Sequence, residues 1–169
     1  YGCAIPKHIA HPYPWKRQLP VGGIVDAYDE GVRAMDEALG TFLDALRARG
    51  LFGRSAIVVS ADHGESMIEH DSFFDHRLLH GEELHVPLIV RLPDARSARV
   101  EGDVQLVDLF PTLAELADLA VPRGHGRSLV PLLRGEELAS TPAFASGSFF
   151  DSRSVVVDGW KLVETRPSI

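Results

Sequence analysis

Ser55 to Ser60 (SAIVVS) is an uninterrupted apolar run of strand length, and it passes directly into Ala61-Asp62-His63-Gly64. Runs of this kind, buried on both faces, are typical of parallel sheets. In open α/β sheets, ligands bind outside the carboxyl ends of the strands. A carboxylate and an imidazole placed side by side there can both reach one hard or borderline cation. Gly64 lets the backbone turn sharply beside them. Val86 to Leu92 (VPLIVRL) reads as a second strand, so the chain has the makings of an α/β domain.

The remaining segments fit that frame. Four prolines at positions 6, 12, 14 and 20 exclude a helix from residues 1–20 and predict an extended or looped leading segment. From Ile24 to Arg49 apolar residues recur at three- and four-residue steps (Val25, Tyr28, Val32, Met35, Leu39, Phe42, Leu43, Leu46), which predicts an amphipathic helix. Gly50 supplies its stop, and Arg47 and Arg49 suit the negative end of the helix dipole. A second helix is expected from Val107 to Leu119, followed by irregular chain over 120–141. Asp158-Gly159 between Ser154–Val157 and Trp160–Val163 predicts a hairpin, because both turn positions need positive φ. The hairpin is expected to stand apart from the main sheet and to bury Trp160. The domain plan is thus residues 1–20, then 21–140 as part of an α/β domain, then 141–169 as the start of a small antiparallel subdomain.

Composition narrows the function. The net charge of −7 argues against nucleic acid or an anionic membrane surface as the main partner. No run approaches the ~18 apolar residues of a membrane-spanning helix. Cys3 is the only cysteine, so neither an intrachain disulfide nor a cysteine-based zinc cage can form. The chemistry is concentrated between Ala61 and Pro87, which hold five of the eight histidines and seven carboxylates. A polar surface loop has a similar composition; it is the position of Asp62-His63 after a buried strand that favours a metal site. The H-E-x-x-H of a zincin is absent. Gly64-Glu65-Ser66-Met67-Ile68 lacks the final glycine of a nucleophile elbow.

Four stretches, in order, resemble the sulfatase branch of the alkaline phosphatase superfamily. They are Tyr28 to Gly50 leading into Ala56–Glu65 (AIVVSADHGE), Glu82 to Val90 (EELHVPLIV), Val107 to Leu113 (VDLFPTL), and Gly126 to Gly135 (GRSLVPLLRG). The resemblance covers roughly residues 21–136. It implies an alkaline-phosphatase-like α/β fold, with a mixed, mainly parallel sheet and a small antiparallel appendage. It implies a metal-dependent hydrolase of sulfate esters, with a small-molecule or glycan sulfate ester as substrate. Hydrolysis of phosphonate or phosphate esters, phosphoglycerol transfer, and a catalytically dead metal-binding module are the alternatives.

The resemblance also assigns roles. Asp62 and His63 match the second half of the family's divalent-metal site. The cation is expected to be calcium, with manganese or zinc as alternatives because imidazole suits transition metals. A lysine or histidine shortly before the E-E-x-x-V-P run contacts the departing oxygen or the bound anion. His76 takes that role here, with Arg77 and His80 as rivals. His11, in His11-Pro12-Tyr13, is one residue short of a family H-x-P-Y motif. The nucleophile motif C/S-x-P-S-R has no match: Cys3-Ala4-Ile5-Pro6-Lys7 has an extra residue, no arginine and no serine. The chain is therefore expected to be the C-terminal half of the catalytic domain, inactive alone. Substrate, compartment and oligomeric state stay open at this level.

Overall fold

The structure, a computed structural model, describes residues 21–67, 69–71, 78–93, 97–121, 124–147 and 151–165. The chain divides into two compact units, interleaved in sequence.

The first unit is built on helix α1 (Val21–Ala48) and strands β1 (Ile57–Ser60) and β2 (Leu88–Arg91). Helix α1 ends where the sequence places its stop. Gly50 has φ +64°, its N–H donates to Arg47 O at 3.0 Å, and Leu51 N–H donates to Leu46 O at 2.9 Å. This pair of bonds satisfies carbonyls that the helix leaves open, and it needs a residue that enters the left-handed region without penalty. The amphipathic stripe is real, but much of it faces solvent: Ile24 is buried, whereas Val32, Met35 and Phe42 are more than half exposed.

Strand β1 pairs with β2 antiparallel, from Ile57 opposite Arg91 to Ser60 opposite Leu88. Every ladder among the described residues is antiparallel, whereas the resemblance implied a mixed, mainly parallel sheet. An apolar run reports burial and not strand direction. Burial itself is partial: β1 is half-buried throughout, and Ile89 on β2 is exposed. Arg91 fastens β2 to the turn that precedes β1. Its Nη1 donates to Phe52 O at 2.7 Å and Ser55 O at 3.1 Å, and its guanidinium lies 4.0 Å from the Phe52 ring centre. That cation–π contact adds to two charge-assisted hydrogen bonds.

The second unit contains helices α2 (Gly81–Leu84), α3 (Leu109–Leu116) and α4 (Val130–Leu133) and strands β3 (Ala143–Ser146), β4 (Ser152–Val157) and β5 (Trp160–Thr165). Helix α3 is shorter than expected because residues 106–108 form a 3-10 turn and Asp118, at φ +55°, ends it. Its core is small, with Leu79, Ala114, Leu129 and Val130 buried. The expected hairpin forms: Val157 pairs with Trp160, and Asp158 and Gly159 take φ +48° and +79°. Strand β3 extends it into a three-stranded antiparallel sheet, ordered β3-β4-β5. Trp160 is 84% exposed, which corrects the expectation that it would be buried. It stands on β5, an edge strand exposed along its whole length.

Candidate metal site

The chain leaves β1 at Ser60, and Asp62 and His63 follow two and three residues later. The His63 backbone N–H donates to Asp62 Oδ1 at 3.1 Å, and His63 Nε2 lies 3.8 Å from Asp62 Oδ2. The two side chains therefore converge. His63 Nδ1 lies 2.8 Å from Gly64 O. A carbonyl oxygen can only accept, so in the neutral ring Nδ1 carries the proton and Nε2 keeps its lone pair on the side of Asp62. A histidine that binds metal through one nitrogen commonly donates its other N–H to a backbone carbonyl. Nitrogen and oxygen atoms 3.8 Å apart are close enough that both residues could serve one cation. The donor set, one carboxylate and one imidazole, thus fits a divalent cation. Both side chains are open to solvent, Asp62 at 89% and His63 at 44%. Among the described residues no third histidine, cysteine or carboxylate joins them, so the pair by itself could fill only part of a coordination shell.

What fixes this pair is backbone. Gly64 N–H donates to Glu83 O at 2.7 Å. A Cβ on Gly64 would stand 1.9 Å from Glu82 O. The glycine of the turn is therefore required by a close backbone approach as well as by bending. Helix α2, which Glu82 and Glu83 belong to, begins after His80, whose carbonyl accepts from Glu83 N at 3.3 Å and Leu84 N at 3.1 Å. Glu83 is fully buried in this turn. Lys161 Nζ on β5 donates to Leu79 O, the carbonyl just before His80. His80 itself is half-buried. His76, Arg77, His11 and Cys3 lie outside the described residues, and His70 and His85 are exposed.

Two signature stretches prove to be one structural clasp. Asp108 is 2% exposed, and its carboxylate accepts from Gln105 N and Arg127 N, each at 2.9 Å. Thr112 Oγ1 donates to Asp108 O at 2.6 Å and accepts from Leu129 N at 2.9 Å. A Cβ on Gly126 would meet Val107 O at 2.1 Å. The Val107–Leu113 and Gly126–Leu129 stretches are thus held to each other by buried polar bonds. In the sequence these stretches mark a family without revealing this role. The signal lay in Asp108, an acid three residues after Gln105 at a helix start, as in a capping box.

These features define an α/β protein with a converging carboxylate–imidazole pair just beyond a strand. The family model for Sulfatase matches residues 7–119, and the chain belongs to that family. It is 38% identical over 100 residues to arylsulfatase K of Xenopus laevis, covering 58% of this chain and 18% of that protein. It is 31% identical over 144 residues to the Delta 4,5-hexuronate-2-O-sulfatase of Bacteroides thetaiotaomicron, covering 82% of this chain and 30% of that one. Among solved structures, the phosphonate monoester hydrolase of Silicibacter pomeroyi superposes with a TM-score of 0.68 at 25% identity, over 77% of this chain and 30% of that one. The alkaline-phosphatase-like α/β class expected from the motifs is therefore borne out. The chain spans less than a third of the length of each of these relatives.

Proposed function

We propose that the chain is part of a metal-dependent sulfuric ester hydrolase and supplies two ligands of its cation site, Asp62 and His63. The observation that carries this reading is the converging pair with the His63 ring held as its Nδ1–H tautomer by Gly64 O. It falls inside the stretch that matches the Sulfatase model. Residues 21–140 belong to the catalytic domain and 141–169 open a small antiparallel subdomain. When bound, the divalent cation, calcium or alternatively manganese or zinc, neutralises charge on the transferred group. Asp62 contributes a negative oxygen donor and His63 a neutral nitrogen donor. His76 or His80 holds a proton at the departing ester oxygen, a role imidazole can fill near neutral pH. His11 is a further candidate for contact with the anion. The substrate class is a sulfate ester on a small molecule or a glycan, in keeping with the hexuronate sulfatase among the relatives.

A second reading, hydrolysis of phosphonate or phosphate esters, is favoured by the likeness to a phosphonate monoester hydrolase. Both readings need a nucleophile and further metal ligands from elsewhere in the parent protein. The exposed apolar stripe of α1 is in keeping with a larger catalytic domain. The purified 169-residue chain, supplied with calcium, magnesium, manganese or zinc, is thus expected to show no turnover of chromogenic sulfate or phosphate esters. Turnover that disappears in Asp62→Ala would overturn the reading that essential parts lie outside this chain.

A further inference from the structure

Resting on the metal-site reading above, we infer that Gly64 is the positioning residue of the site: its backbone fixes the His63 tautomer and ties the Asp62–His63 pair to the turn that starts at His80. Three contacts of one residue carry this. The Gly64 carbonyl accepts from His63 Nδ1 at 2.8 Å, which keeps the Nε2 lone pair on the side of Asp62. The Gly64 N–H donates to Glu83 O at 2.7 Å, which holds that carbonyl in place against α2. The position of a Cβ is taken by Glu82 O, 1.9 Å away. That atom is backbone, so it cannot swing aside as the end of a flexible side chain would.

The consequence is directional. Any side chain at position 64 forces residues 62–64 and the Glu82–Glu83 turn apart. The shift moves the Gly64 carbonyl away from His63 Nδ1. Without that acceptor the neutral imidazole redistributes its proton between the two nitrogens, and every molecule protonated on Nε2 has lost its metal-binding lone pair. The Glu83 carbonyl and the His80 carbonyl belong to the same turn, so the relation between the metal pair and His80 is loosened by the same change. Gly64 contributes no side chain and touches no substrate; it acts through His63.

The test uses the 169-residue chain labelled with 15N and zinc ions as the probe. In the metal-free wild type the His63 ring nitrogens should report the Nδ1–H tautomer, and the Gly64 amide should be protected from hydrogen exchange. Zinc, followed by the His63 signals, should increase that protection. Gly64→Ala should give a tautomer mixture and weaken zinc binding at least about 10-fold, the range found when supporting bonds to metal ligands are lost. Gly53→Ala, where a Cβ meets nothing within 4 Å, should leave both unchanged. A folded Gly64→Ala chain that keeps the Nδ1–H tautomer and wild-type zinc affinity overturns the inference. If Gly64→Ala does not fold, the wild type decides alone, and a Gly64 amide whose protection zinc does not alter overturns it. Zinc shifts that do not involve His63, or that survive Asp62→Ala, His63→Ala and the double substitution, refute the metal-site reading itself.

Discussion

In the metal-dependent hydrolase proposed above, Asp62→Ala should lower kcat/KM at least about 1,000-fold, equivalent to about 4 kcal/mol of transition-state stabilisation. Asp62 is the anionic member of the pair, and on the proposed reading its removal would leave His63 to hold the cation from this side alone. His63→Ala should be comparably damaging. His63→Asn is the more informative change, because it replaces an imidazole nitrogen with an amide oxygen. Oxygen donors suit calcium and imidazole suits transition metals. The variant should retain activity with calcium and lose its response to zinc or manganese. Steady-state rates with each metal in turn check this. Equal losses with every metal would show that His63 acts as something other than a ligand.

Asp108→Ala should destabilise the chain by about 2–4 kcal/mol. The carboxylate is 2% exposed and accepts two backbone N–H groups, from Gln105 and Arg127. Truncation leaves both donors without their acceptor, and each part-buried donor so stranded costs about 1–3 kcal/mol. Asp108→Asn keeps one acceptor oxygen and should lose about half as much. Thr112→Val removes one hydroxyl that both donates to Asp108 O and accepts from Leu129 N, so it should fall between them. Denaturant midpoints for the three variants check the order. If Asp108→Ala unfolds with the wild-type midpoint, the clasp between the two stretches contributes no stability.

The parts of the fold legible in the sequence were those written in local chemistry. Gly50 stops α1 because positive φ is required there, and Asp158-Gly159 closes the hairpin for the same reason. Both requirements act within a few residues, so a single residue type reveals them. Strand direction was not legible, because an apolar run over residues 55–60 is compatible with either partner orientation. Trp160 misled for a related reason: a large aromatic side chain is evidence of burial only when its strand has a covered face, and β5 has none. At the site, adjacency in sequence was enough to propose Asp62 and His63, since neighbouring side chains beside a glycine can converge. The role of Gly64 against Glu82, and of Gly126 against Val107, depends on contacts between segments distant in sequence. A single sequence marks such glycines without saying what approaches them.

The most direct test of the proposed metal site is anomalous diffraction from crystals of the proposed hydrolase grown with manganese or zinc. A metal peak is expected beside the Asp62 carboxylate and His63 Nε2, at about 2.0–2.2 Å, with Nδ1 still donating to Gly64 O. A peak held entirely by other residues, with Asp62 and His63 turned away from it, would show that the pair is not part of the metal site.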